Sequence, residues 1–276
     1  MTGVQTCALP ISYRTFLASD TLGTQRTLTV NALAAGAADI DFRDIAITGT
    51  ASPISGTRFG DCKGNSGITF PAAKTVYYRA TGSTVWGSPT SWSATSGGTI
   101  DSAQFPLAQD TAIFPASTYP ASGSTTTINA NYNIGTIDMS LRTSNTMTLA
   151  GGTTAPQIYG NWINGTGTTL SGSSAMTFAG RTTQTLTSAG VTFTQPITIN
   201  SPSGSVTLQD AFVTSTNSTA LTLTAGTFDA NNYNVTFTGS AGAFTSSNTN
   251  TRTLAIGTGT WTLVAIAPWS TSNSTK

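Results

Sequence analysis

One three-residue figure organises the chain: an apolar residue, a threonine, an apolar residue. It occurs as Met147-Thr-Leu149, Met176-Thr-Phe178, Val191-Thr-Phe193, Ile197-Thr-Ile199, Val206-Thr-Leu208, Leu221-Thr-Leu223, Val235-Thr-Phe237 and Trp261-Thr-Leu263, with Leu28-Thr-Val30 and Ile68-Thr-Phe70 earlier. A period of two puts the flanking residues on one face and threonine on the other. Each figure therefore predicts a short strand with an apolar interior and a hydroxyl exterior.

The spacing predicts how the strands assemble. Leu149 to Phe178 is 29 residues, Phe178 to Leu208 is 30, Leu208 to Phe237 is 29, and Phe193 to Leu223 is 30. A fixed step of this size is the signature of stacked repeats, so residues 118–263 are expected to form a parallel β-helix of 29–30 residues per coil. Its crossovers should be right-handed. Leu149, Phe178, Leu208 and Phe237 would then stack in one dry column, with Trp162, Val191 and Leu221 along a second wall. Glycines such as Gly226 and Gly239 fall between strands, where corners need positive φ or close backbone approach. The Asn-rich stretches at 129–133, 229–234 and 248–250 are expected at turns. An antiparallel sandwich would show similar turn spacing and stays open as an alternative.

The remainder is less regular. Residues 12–73 suggest an irregular β region or partial coils, and 74–117 a nonrepetitive aromatic module. Residues 264–276 read as a C-terminal tail, expected to be cut short.

Composition narrows the class. Charged residues make up 8% of the chain, against roughly 25% in ordinary soluble domains, and β-branched threonine favours strands. This points to an all-β protein. Its 38% hydrophobic residues fall in a regular pattern that a disordered tract would not need. A net charge of +1 offers nucleic acid no electrostatic footprint, and no apolar run reaches the roughly 18 residues that span a bilayer. Neither nucleic acid nor membrane insertion is expected.

Candidate chemistry is sparse. The chain has no histidine and no glutamate, which removes the commonest general base and most catalytic zinc sites. No metal site or cofactor is expected, and Cys62 has nothing evident to activate it. Asp39 and Asp41 are the candidate catalytic pair for an alternative reading as a polysaccharide hydrolase or lyase. Beside Arg43 they read equally as a solvated edge with a local ion pair. Aromatic residues are the stronger signal. Trp86, Trp92, Tyr77 and Tyr78 cluster in the aromatic module, and Tyr119, Tyr132, Tyr159 and Tyr233 fall near predicted turns; such rings would stack on sugar faces if exposed. The competing reading has Trp86 and Trp92 capping the open end of the hydrophobic column.

The run Trp86, Trp92, Gly97, Gly98, Phe105, Pro106, Asp110 and Phe114, followed by "MTFAG" and "QTLTSAGVTFTQPITI", is similar to repetitive β-solenoid surface proteins of bacteria and virion proteins of environmental phages; "GDCKGNSGITF" also resembles the latter. This resemblance implies an extracellular, non-enzymatic structural or adhesive protein on a virion or cell surface, contacting host glycans or other surface proteins. Residues 1–11, "MTGVQTCALPI", resemble a translated sequencing-library adapter and are expected not to belong to the natural chain. That leaves Cys62 as the one natural cysteine, so no disulfide framework is expected.

Overall fold

The computed structural model describes residues 14–116 and 118–271; the adapter-like residues 1–11 lie outside the described residues. The fold is all-β, with one 3-10 turn at Ser102–Gln104 and no α-helix among the described residues. Parallel coils of about 23 residues stack into a β-solenoid of about 11 turns.

Three walls enclose its longer part. Wall A stacks Asn133–Ile134, Gln157–Ile158, Met176–Phe178, the leading halves of Ile197–Leu208 and Leu221–Asp229, then Gly242–Thr245 and Ala267–Ser270. Wall B runs from Thr75–Tyr78 through Thr111–Ile113, Thr136–Asp138, Trp162–Ile163 and Thr183–Thr187 to the trailing halves of the same two long strands and Arg252–Ala255. Wall C carries Thr84–Val85, Ser124–Thr127, Met147–Ala150 and Thr168–Ser171. Beyond the Phe193 to Thr214 bridge it continues with Phe212–Thr214, Val235–Phe237 and Trp261–Leu263. Along most of these strands apolar side chains are buried and threonines face outward, although Thr126, Thr168 and Thr214 of wall C are buried, so the outer face of a parallel sheet, usually covered, is here largely a layer of hydroxyls.

The coil is shorter than the 29–30 residues expected. Phe178 lies beside Ile199, Thr222 beside Thr245 and Phe237 beside Leu263, separations of 21, 23 and 26. The apolar-threonine-apolar figure occurs on all three walls, so its spacing mixes laps with sides. Leu149 is on wall C, stacked under Leu170, and Phe178 follows on wall A eight residues after that partner. One lap of 21 and one side of eight make the 29. Leu208 belongs to wall B and Phe237 to wall C, so the expected single column does not form, although all four side chains enter one core. Trp162, Val191 and Leu221 likewise do not share a wall: Trp162 sits on wall B, Leu221 on wall A, and Val191 just before wall C.

Asparagines mark the true lap. The Oδ1 atoms of Asn131, Asn161, Asn232 and Asn234 accept the backbone N–H groups of Ala155, Thr185, Thr258 and Thr260 at 2.8–3.0 Å, 24 to 26 residues ahead. Each amide closes a corner onto the coil above. Gly239 shows how tightly corners stack: a Cβ there would meet the Thr216 carbonyl oxygen at 1.7 Å.

Residues 14–70 form a smaller unit with its own core of Phe42, Ile45, Ile47, Ile54 and Phe59. Thr15–Ala18, Ile40–Arg43 and Gly60–Asp61 stack in parallel, as do Arg26–Thr29 on Ile45–Thr48. The lap from Ile54 to Ile68 is only 14 residues. This unit docks across the long solenoid. Asn133 donates to Asp41 at 3.1 Å, Arg43 to Gln157 at 2.8 Å and Arg181 to Asp44 at 2.5 Å. Asp41 and Arg43 of one strand and Asp44 just beyond it thus meet three successive coils, so that segment runs across the coils of its host.

Candidate functional site

Of the aromatic residues singled out in the sequence, Trp86, Trp92, Tyr78, Tyr132 and Tyr159 are placed in the interior, Tyr77 and Tyr119 are half-buried, and Tyr233 is exposed. Trp86, Trp92 and Tyr78 are fully buried, with Trp86 and Trp92 ring centroids 4.7 Å apart and Tyr78 stacked on Phe114 at 4.7 Å. The Trp92 indole donates to the Trp86 carbonyl at 2.9 Å. Tyr77, half-buried, pairs with Ser93 in the single antiparallel contact among the described strands. These rings fill the opening coils, and the expectation that they meet a sugar is corrected: no face of Trp86, Trp92 or Tyr78 reaches solvent. Tyr132 and Tyr159 are buried too, and Tyr119 lies under the Arg79 guanidinium at 3.8 Å.

Asp39 and Asp41 do come together, but around arginines at the docking junction. Arg14 donates to Asp39 at 3.1 Å and to Asp41 at 2.6 Å, and Arg58 donates to Asp39 at 2.6 Å. Asp41 is 2% exposed. The expected solvated edge with a local Arg43 pair is thus a buried network whose partners are Arg14, Arg58 and Asn133. Beneath it Cys62 packs with Ala108, Tyr159 and Ala179. Burial pushes the Cys62 thiol and the Tyr159 hydroxyl well above their ordinary pKa values, so the thiol is neutral and inert at physiological pH. No group of three or more His, Cys, Asp or Glu residues among the described residues is placed to hold a metal ion.

The open concave surface lies elsewhere. A cleft of about 730 Å³ forms where the loop Asp20 to Leu22 faces the wall A to wall B corners of three successive coils, at Pro202 to Gly204, Thr224 to Thr227 and Asn250 to Thr253. The corners are sharp because Gly226 sits at φ +87°, where a Cβ would strike the Ser201 carbonyl oxygen at 2.2 Å. A second hollow of about 560 Å³ shares Asn250, Thr251 and Arg252 with the first and reaches Phe244 and Trp269 at the last coil. One face of the Trp269 ring rests on Phe244, centroids 4.4 Å apart, and the residue is 49% exposed.

Both charges lining this groove are engaged. Arg26 donates to Asp20 at 2.8 Å and holds its carboxyl below the usual carboxylate range. The Arg252 guanidinium donates to the carbonyls of Asn250 and Ser246 at 2.6 and 2.9 Å and to the Ser246 hydroxyl. What remains for a ligand is hydroxyl, amide and ring. Sequence reasoning missed this groove because its lining threonines look like every other outward threonine, and because Trp269 falls in the stretch read as a tail. The signal available was the strand-like run Ala267–Ser270, which pairs with Gly242–Thr245.

No family model, curated protein or solved structure matches this chain.

Proposed function

We propose that the protein is a non-enzymatic structural and adhesive rod of an extracellular surface, carried on a phage particle or a bacterial envelope, that displays its coils to host glycans or neighbouring surface proteins. The observation that carries this reading is the long stack of parallel strands with a neutral hydroxyl exterior. Most interior wall strands are hydrogen-bonded to the coils on both sides, which resists bending, and outward threonines hydrate the surface without charge. The alternative, a hydrolase or lyase using Asp39 and Asp41, is less well supported, because both carboxylates are occupied by guanidinium groups and Asp41 is buried.

The test is to pass the purified protein over immobilised bacterial surface polysaccharides while assaying new reducing ends. Retention without turnover is expected. Sustained cleavage abolished by Asp39→Ala or Asp41→Ala would overturn the proposal in favour of the enzyme.

A further inference from the structure

Resting on that adhesive reading, we propose that the groove from the Asp20 loop to Trp269 binds a neutral oligosaccharide laid along the solenoid axis, with Trp269 as its stacking platform. Three features converge on this ligand class. The first is periodicity: the groove crosses three coils, and each presents a fresh set of hydroxyls or amides at the same corner, Ser203, then Thr224 and Thr227, then Asn250 and Thr253. Thr227 and Thr253 are registered neighbours in one ladder, so like groups recur at the strand spacing of about 4.8 Å. A linear hexose polymer repeats its hydroxyls at a similar interval, so one sugar can face one coil.

The second is charge. Asp20 is neutralised by Arg26, and the Arg252 donors are turned back onto Ser246 and Asn250. Arg252 has no carboxylate partner among the described residues, but it is a single guanidinium already committed to neutral acceptors, so the lining offers a phosphate, sulfate or uronate chain no cluster of cations, whereas a neutral polyol needs only donors and acceptors. The third is the ring. Trp269 packs on Phe244, borders the second hollow and remains 49% exposed, the half-exposed setting in which an indole takes the C–H face of a sugar.

The experiment is calorimetric titration of the intact protein with cellohexaose, maltohexaose and linear mannohexaose, using oligogalacturonate as the charged comparison, together with retention on surfaces coated with the same glycans. At least one neutral hexamer should bind with quenching of tryptophan emission. Trp269→Ala should weaken it about tenfold, the worth of one good ring contact. Thr253→Arg, on an exposed strand position outside the core, should weaken it at least as much, with an unchanged denaturation midpoint verifying its fold. Equal retention of wild type and both variants would overturn the groove while leaving the adhesive reading standing. Preference for oligogalacturonate would overturn the neutral ligand class. A wild type neither bound nor retained by any glycan would overturn both readings.

Discussion

The two units of this molecule reach the same architecture by opposite means. The long solenoid, from Thr75 onward, encloses a wide core of aliphatic and aromatic side chains, with phenylalanines such as Phe178, Phe193 and Phe212 fully buried. The unit at 14–70 narrows along its length and winds around a core of five buried hydrophobic residues. It compensates with charge: every ion pair described draws its carboxylate from Asp20, Asp39, Asp41, Asp44 or Asp61, and the long solenoid contributes Arg181 alone. The small unit's laps shorten from 25 residues between Thr15 and Ile40 through 19 between Asp41 and Gly60 to 14 between Ile54 and Ile68, and laps of 14 to 19 surround fewer large side chains than one of about 23. Short laps therefore lean on a neighbour, and the polar ties to Asn133, Gln157 and Arg181 supply it.

If this contrast holds, truncating the long core should be the most damaging change. Phe178→Ala removes a fully buried ring and is expected to lower the unfolding free energy by about 3–5 kcal/mol. The loss should be indifferent to salt in denaturant titrations at low and high ionic strength. Asp41→Ala should come next, on the small unit, because it takes from the buried Arg14 guanidinium the nearer of its two carboxylates; Asp39 at 3.1 Å still faces it, so the loss should fall below that of leaving a buried charge unpaired, about 3–5 kcal/mol. Its damage should be local. In a background where Cys7 is serine, Cys62 should become reactive to a thiol reagent before the long solenoid unfolds.

A smaller effect is expected from Arg142, buried within the long unit. Its guanidinium donates to the carbonyls of Pro115, Pro120 and Thr146 at 2.9, 2.9 and 3.3 Å, pinning the excursion between walls B and C. Arg142→Leu leaves those carbonyls short of a donor and should cost about 1–3 kcal/mol, with proteolysis appearing first near residue 118. Alkaline pH probes the junction from another side. Cys62 and Tyr159 both have pKa values raised by burial. Their contribution is complete below the unfolded-state values and falls as pH rises through the native ones, because the unfolded chain ionises first. Stability should therefore decline above the ordinary thiol range, and Cys62→Ala with Tyr159→Phe should flatten that decline. The exposed pair of Arg26 with Asp20 should matter least, and Arg26→Ala is expected to leave the denaturation midpoint unmoved.

The fold class was legible because the period of two is written into each triplet: Met176, Thr177 and Phe178 point where alternation says they should. The lap length was not, because a triplet carries no label for its wall. Asn161 and Thr185 held the better ruler, since an asparagine that closes a corner onto the next coil spans one lap and nothing more. The candidate site failed for a related reason. Tryptophan spacing does not tell a ring buried against Phe114 from one resting on Phe244 in solvent, so nothing in the sequence sets Trp269 apart from Trp86 and Trp92. The pairing of Asp41 with Arg14, 27 residues away, depends on coil stacking that a wrong lap length hides.

Lap length also admits the most direct test. With Cys7→Ser and Cys62→Ala as background, Thr198→Cys with Thr222→Cys places two outward cysteines on adjacent rungs of wall A, within the Cα separation of about 4.4–6.8 Å that a disulfide spans. Thr148→Cys with Thr177→Cys places them 29 residues apart on different walls. Mild oxidation of the folded protein should close the first pair and leave the second as free thiols. Closure of the second pair with the first left open would contradict the three-walled coil.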